Sequence, residues 1–307
     1  MADDLMNTLM NINQATQNLN AEWAGHALLY PQMEKKLMAF IISLPNDSVA
    51  TASTRKLIQS IRDTNSDVNP FIMPATTPET LETDLKSMGY NLSQWTWPIV
   101  PLQKKIDLAT GLTMTGYGAK DYKKVIACLV SHMRIWRMAA LFKTPLMILE
   151  QDALFTRKFD LNDVIHRISP NDMEVSAIGL NHPFGATRKA SVFLDKVIQA
   201  ASKTGPEFDR ATSKLVDAPW VEDMANDGFA TPQGLAGNSA YIITTWGAAR
   251  LFRQIAVRGL WPNDALMCKQ LMKTSPSDVE GETYANQLKV LYPFVTKVQG
   301  TPSTTQG

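Results

Sequence analysis

The sequence predicts an α/β fold with a mostly parallel central sheet and helices on both faces. Two stretches carry that prediction. In the first, the apolar run 37–44 (LMAFIISL) has strand length and is closed by Pro45, Asn46, Asp47 and Ser48. Helical spacing of Leu57, Ile58 and Ile61 follows within 51–61, and a second strand over 69–73 ends at Pro74. Strand, helix and strand with short joints is the order of a wound parallel sheet. In the second stretch the helical pattern 121–142 runs into the apolar run 146–149, which stops at Glu150, Gln151 and Asp152. That puts two carboxylates at a strand's carboxyl end, where ligands collect in open α/β sheets.

Composition limits the alternatives. The chain has 307 residues, 45% hydrophobic and 19% charged, with a formal net charge of +1. That is ordinary for a globular protein and long enough for one large domain. Near-neutral charge gives no global field for a polyanion, so nucleic-acid contact would need a local basic patch. Cys128 and Cys268 are the only cysteines, which excludes a disulfide scaffold and favours a reducing, cytoplasmic setting. The first twenty residues are acidic and polar where a signal peptide would be basic and then apolar, and no apolar run is expected to reach membrane-spanning length.

Taken in order, residues 1–35 read as a helical N-terminal extension with Leu5, Leu9, Met10, Trp23 and Leu28. Residues 36–298 read as the α/β domain, and 299–307 as a disordered tail low in apolar residues. Residues 77–120 read as an irregular section holding Trp95, Trp97, Pro98 and Pro101 and ending in GLTMTGYGAK. Such long loops are often functional, and its aromatics fit either hydrophobic plugs or sugar platforms. Within the helix 121–142, Cys128, His132 and Trp136 fall on one stripe beside Leu129 and Ile135. Arg134, Arg137, Lys123 and Lys124 read as its solvated face. A further strand over 175–180 precedes a polar segment with Asn181, His182, Arg188 and Lys189 that suits a surface loop or an anion contact.

Glu150 and Asp152, two residues apart, suit one hard divalent cation, Mg²⁺ or Mn²⁺, which takes oxygen ligands and shares itself with substrate phosphates. An acidic turn after a strand is the plainer reading of the same tripeptide. No G-x-G-x-x-G follows the first strand, and there is neither a Walker loop nor a G-x-S-x-G elbow. The two cysteines and four histidines show no ligand spacing for a metal site of their own.

From Ala127 the chain reads Ala-Cys, two residues, Ser131-His132, three residues, Trp136, then Pro145 and Ile148-Leu149-Glu150-Gln151-Asp152. This resembles the core signature of glycosyltransferase family 25, the lipopolysaccharide and collagen galactosyltransferases. The run 237–251 (GNSAYIITTWGAARL) is similar to that family's G-x-x-A-Y strand and G-A-x-x-L helix start, and Pro262-Asn263-Asp264 to its later P-x-D element. These blocks stand in the family's order over roughly residues 37–270. Gln151 replaces a second Asp, a form that looks closer to virus-encoded members and points to a hydroxymethylated pyrimidine in phage DNA as acceptor.

The resemblance implies a GT-A type nucleotide-sugar-binding fold. It implies a metal-dependent inverting glycosyltransferase, a hexosyl- or pentosyltransferase, using Mn²⁺ or Mg²⁺ and a nucleotide-sugar donor of the UDP-sugar kind. A lipopolysaccharide or other saccharide is the alternative acceptor, and a catalytically silent sugar- or nucleotide-binding module the alternative role. Glu150 and Asp152 are the candidate metal ligands. Asp264 is the candidate general base, on the face of the sugar opposite the leaving group; it could equally N-cap a helix over 265–272. His132 is a candidate catalytic residue, readable as a phosphate contact or as a core histidine that supports the acidic strand. Ser43, Leu44, Ser131, Arg188 and Asn238 are the candidate donor contacts.

Overall fold

The computed structural model describes residues 36–108, 110–118, 121–168, 174–183, 189–203, 213–219, 221, 234–268, 271 and 287–300. The helical extension 1–35, Arg188 and residues 301–307 lie outside the described residues.

In chain order, β1 (Leu37–Ser43), α1 (Ser48–Asp63) and β2 (Val68–Pro74) form a β-α-β unit. A short helix α2 (Leu81–Ser87) and a hairpin of β3 (Lys104–Asp107) and β4 (Leu112–Thr115) come next. α3 (Tyr122–Phe142) leads into β5 (Leu146–Glu150) and β6 (Ala153–Phe155), and then come β7 (Val175–Gly179), α4 (Ala190–Ser202) and β8 (Lys214–Asp217). β9 (Ala240–Ile243), α5 (Thr245–Arg258), the helical turn α6 (Asn263–Leu266), β10 (Gln287–Tyr292) and β11 (Thr296–Val298) complete the described fold.

The seven-stranded sheet has the order β2-β1-β5-β9-β7-β10-β8. β1, β2, β5, β7 and β10 share one direction, while β9 in the middle and β8 at the edge run against them. The α/β class and the mostly parallel sheet are therefore as the sequence predicts. The antiparallel β9 adds something an apolar run cannot signal: its amino end lies beside the carboxyl end of β5.

Alternate residues of the core strands feed two cores. Leu146, Ile148, Tyr241 and Ile243 face the layer that holds α3 and α5. Met147, Leu149, Ala240 and Ile242 face the layer that holds Leu57, Ile58 and Ile61 of α1. With both faces covered, these strands read as continuous apolar runs rather than alternating ones. Asp47 starts α1 by accepting the Ala50 N–H at 2.7 Å, and Asp121 starts α3 by accepting the Lys123 N–H at 2.9 Å. At Gly247 a Cβ would meet the Ser176 carbonyl oxygen at 1.9 Å, so only glycine lets α5 pack this closely on β7. By length and composition α3 could cross a membrane, contrary to the expectation that no run would; 67% of that window is buried in the fold, so its apolarity is that of a core helix.

The section 77–120, expected to be irregular, contains α2 and the β3–β4 hairpin. Lys104, Lys105 and Ile106 of β3 are all exposed, which leaves no alternation to read. An ion pair of Arg258 Nη1 with Asp107 Oδ2 at 3.3 Å ties the hairpin to α5. The helix expected over 265–272 is the turn α6, which starts earlier, at Asn263. The tail boundary drawn at 299 falls short of Gln299, which is held by hydrogen bonds to Ser53, Asp152 and Ala153.

β2 lies on one side of β1 and β5 on the other, so the strand order reverses at β1. The crevice outside the carboxyl ends of β1 and β5 is thus a topological switch point, the usual place for a ligand in such a sheet.

Candidate active site

The acidic tripeptide sits at that switch point with its backbone fixed from three directions. Glu150 N–H donates to the Ser239 carbonyl at 2.8 Å, Gln151 N–H to the Ile42 carbonyl at 3.0 Å, and the Asp152 carbonyl accepts the Gln299 N–H at 2.8 Å. The Gln151 side chain turns toward β1, where its Oε1 accepts the Leu44 N–H at 2.9 Å. Its amide therefore anchors the loop after β1, and the two flanking carboxylates keep each other's company. Burial first, and the Glu150 charge second, push the Asp152 carboxyl up to about 6. Among the described residues, Asp152 Oδ1 is buried with no hydrogen-bond partner.

Behind Glu150 stands a hydrogen-bonded file of side chains. Trp136 Nε1 donates to the Tyr241 hydroxyl at 2.8 Å, that hydroxyl lies 2.9 Å from His132 Nδ1, and His132 Nε2 lies 3.3 Å from Glu150 Oε1. Burial holds the Tyr241 phenol well above its ordinary range, so it keeps its proton. Having accepted from Trp136, it satisfies itself by donating to Nδ1, which leaves Nε2–H to point at the Glu150 carboxylate. The rings of His132 and Tyr241 stack at 5.8 Å and 8°. His132 is fully buried, and this is the supporting arrangement that its apolar stripe allowed.

Asp264 lies in the first turn of α6. Its carboxylate accepts the Tyr117 hydroxyl at 2.8 and 2.9 Å, and its Oδ1 also accepts the Ala265 N–H at 2.9 Å. The N-cap position belongs to Pro262 and has no side-chain cap bond, so Asp264 is not the helix cap. Enclosure by protein holds the Asp264 carboxyl above its usual value, and the Glu150 charge adds to this, although the residue still presents surface to solvent. The Cys128 thiol lies between the two walls. Burial, then Glu150, Asp264 and Asp152, push it well above its ordinary range. Hydrogen bonds and charge coupling thus link residues 117, 128, 132, 150, 152, 241 and 264 into one cluster.

Beside Asp264 the wall is aromatic. Trp97 packs edge-on to Trp261 at 5.3 Å and lies 6.5 Å from Tyr117, and its Nε1 donates to the Thr115 carbonyl at 3.0 Å. Trp97 is a buried plug, while Trp95, Tyr117 and Tyr122 are less enclosed and line a small pocket with it.

The structure sorts the candidate donor contacts. Asn238 lies next to Ser239 at the site, and both ends of its amide are buried without a partner among the described residues. Ser43 and Leu44 lie at the mouth of β1, but the Ser43 hydroxyl accepts from Thr54 at 3.0 Å and the Leu44 N–H is taken by Gln151. Ser131 works elsewhere: it accepts the Thr76 N–H at 2.9 Å and donates to the Ala127 carbonyl, which fastens the loop after β2. Arg134 and Arg137, expected on a solvated face, hold the carbonyls of Pro74 and Ser87 at 2.9 and 3.0 Å. Asn181 and His182 are bound to Thr296, and Arg188 lies outside the described residues. Tyr117, Tyr241 and Gln299 complete the site without having been candidates. Their partners lie more than a hundred residues away, and only the Tyr of the G-x-x-A-Y block had any local signal.

The donor set at the strand end fits a hard divalent cation. Among the described residues no Lys or Arg lies within ion-pair distance of Glu150 or Asp152. Two nearby carboxylates, one with a buried orphaned oxygen, carry an uncompensated cost that an oxygen-seeking ion relieves.

The sequence matches the profile of glycosyltransferase family 25, described as a lipopolysaccharide biosynthesis protein family, over residues 38–267. No curated protein matches the chain in sequence. Among solved structures, mouse xyloside xylosyltransferase 1 in its apo form is similar at 7% identity and a TM-score of 0.32, over 76% of this chain and 80% of that one.

Proposed function

The chain belongs to glycosyltransferase family 25 and is an enzyme of glycosyl transfer, and on that premise we propose that it moves a sugar, with inversion, from a nucleoside diphosphate donor to a saccharide hydroxyl. Glu150 and Asp152 would hold a Mn²⁺ or Mg²⁺ ion, which supplies Lewis acidity for the departing diphosphate. The observation that carries this reading is the buried, unpartnered Asp152 oxygen beside Glu150 at the switch point. The His132–Tyr241–Trp136 file supports it by fixing the direction of Glu150, so the carboxylate loses little freedom on binding. The open amide of Asn238 is suited to a polar group of the donor.

Asp264 is the base. Its raised proton affinity suits the removal of a hydroxyl proton near neutral pH, and Tyr117 holds both its oxygens in one orientation. Inverting transfer needs a base on the side of the sugar away from the leaving group, and that is the place this reading gives Asp264. Trp95, Tyr117 and Tyr122 offer apolar faces beside it on which a sugar ring can lie.

Gln151 was the feature that pointed to a virus-encoded enzyme with a DNA acceptor, and to a silent binding module. Its hydrogen bond to Leu44 gives the amide a structural task, and the family's description as lipopolysaccharide biosynthesis supports a saccharide acceptor and an active enzyme. The deciding experiment is mass spectrometry of the protein incubated with Mn²⁺, a panel of nucleotide sugars and two acceptor sets, oligosaccharides and hydroxymethylated DNA. A mass increase of one sugar on a saccharide supports the proposal. An increase on the DNA alone transfers the assignment to that acceptor, and no increase on either set overturns it.

A further inference from the structure

We propose that Cys128, His132 and Glu150 form a cation site of their own, selective for a thiophilic divalent ion of the Zn²⁺ or Co²⁺ kind. The Cys128 sulfur, a ring nitrogen of His132 and a carboxylate oxygen of Glu150 all lie within 4.8 Å of one another. His132 Nε2 and Glu150 Oε1 are already 3.3 Å apart. That is the spacing of two donors on one tetrahedral ion, whose bonds of about 2.0 to 2.3 Å set donor–donor distances of roughly 3.3 to 3.8 Å. The sulfur has to close by no more than on the order of 1 Å to complete the triangle.

Contrary to the expectation that the cysteines and histidines hold no metal-ligand spacing, the fold supplies one by adding Glu150. Cys128 and His132 are one turn apart on α3, so their side chains point the same way, and β5 brings Glu150 up against them. Thiolate, imidazole and carboxylate together favour Zn²⁺ or Co²⁺ over Mg²⁺, which prefers oxygen alone. Three protein donors leave a fourth position open, and Glu150, 34% exposed, faces solvent there.

Binding has a definite proton balance. Cys128 releases its S–H proton to solvent as the sulfur–metal bond forms. His132 must ligate through Nε2, so its proton moves to Nδ1; the Tyr241 hydroxyl turns its own O–H away from Nδ1 and accepts there instead, the kind of partner that orients ligating histidines. Glu150 exchanges its contact with Nε2–H for the ion. Because Glu150 also belongs to the Glu150–Asp152 pair, a thiophilic ion here withdraws one ligand from the oxygen site. The site rests on donor chemistry alone and does not depend on the glycosyl-transfer reading.

The test is a Co²⁺ titration of the full chain under reducing conditions, read by absorption. The wild type is expected to show a sulfur-to-cobalt charge-transfer band with the visible bands of four-coordinate Co²⁺, both removed by Zn²⁺. Cys128→Ser should lose the charge-transfer band, Glu150→Gln should bind Co²⁺ about tenfold or more weakly, and Asp152→Asn and Cys268→Ser should keep the band. An alkylation rate in the unmutated chain guards against a variant that fails to fold: Zn²⁺ should slow iodoacetamide capture of Cys128, located by peptide mass, about tenfold or more. Absence of the band in the wild type, its survival in folded Cys128→Ser, or unslowed alkylation overturns the proposal. None of these outcomes bears on sugar transfer.

Discussion

The acidic end of β5 and the turn that carries Asp264 are close enough for their charges to couple, and they solve opposite problems. At the strand end the backbone is tied while two side chains are left open: among the described residues, an Asp152 oxygen and both ends of the Asn238 amide are buried without partners. At the Asp264 turn the carboxylate is satisfied by the protein itself, through Tyr117 and the Ala265 N–H. Orphaned buried polar atoms cost free energy, so a fold keeps them where a ligand will repair the loss. A carboxylate satisfied in advance is set in direction and in proton affinity, as a base has to be. That difference is what the proposed roles require, an ion held at the strand end and a base at the Asp264 turn.

Replacing Asp264 by Asn strikes the reacting wall hardest. Turnover should fall about 100- to 10,000-fold, while the melting temperature stays the same or rises. The sign follows from a proton affinity raised by folding: the ionised carboxylate disfavours the folded state at neutral pH, and a neutral amide removes that penalty. Full activity in this variant would erase the distinction between the walls.

Asp152→Asn probes the binding wall through stability. With its proton leaving at about 6 in the folded state, against 3.8 for the ordinary group, Asp152 favours folding below 3.8, and that contribution is lost as pH rises through about 6. In chelator at pH 7 the amide should stabilise the fold by about 1 to 2 kcal/mol, less than the full shift implies because the group is partly exposed. Thermal melts of both proteins from acid to neutral pH should converge at the acid end, and parallel curves would mean that the carboxyl is not strained.

Tyr117→Phe sharpens the contrast from the other side. Loss of the hydroxyl removes a bond that favours the ionised Asp264, so the proton is held more tightly and the acid limb of the pH–rate profile moves to higher pH. A fall of about tenfold in kcat at neutral pH should be recovered in part by raising the pH. A uniform fall at every pH would instead mark Tyr117 as packing only. The smallest effect belongs to Gln151→Ala, which frees the Leu44 N–H and should cost about 1 kcal/mol in chemical unfolding, with metal affinity kept.

Much of this was written in local sequence. The continuous runs of β1 and β5, the Asp caps of α1 and α3, and a Glu-x-Asp at the end of a strand all depend on neighbours a few residues apart. The direction of β9 did not follow from its apolar run, and β3 has no buried face to create a pattern. The base wall was half legible: Asp264 stood out in its P-x-D block, but Tyr117 reaches it across 147 residues. Cys128 and His132 showed their helical stripe, and their partner Glu150 came only with the packing of α3 on β5. Gln151 looked like a departure in function until the Leu44 N–H gave it a structural role.

The most direct measurement is the calorimetric affinity of UDP for the chain with and without Mn²⁺. Tightening by about tenfold or more in the wild type, absent in both Glu150→Ala and Asp152→Ala, is the expected result. An affinity that Mn²⁺ does not change in the wild type, or tightening that survives in both variants, would contradict a cation held between these two carboxylates.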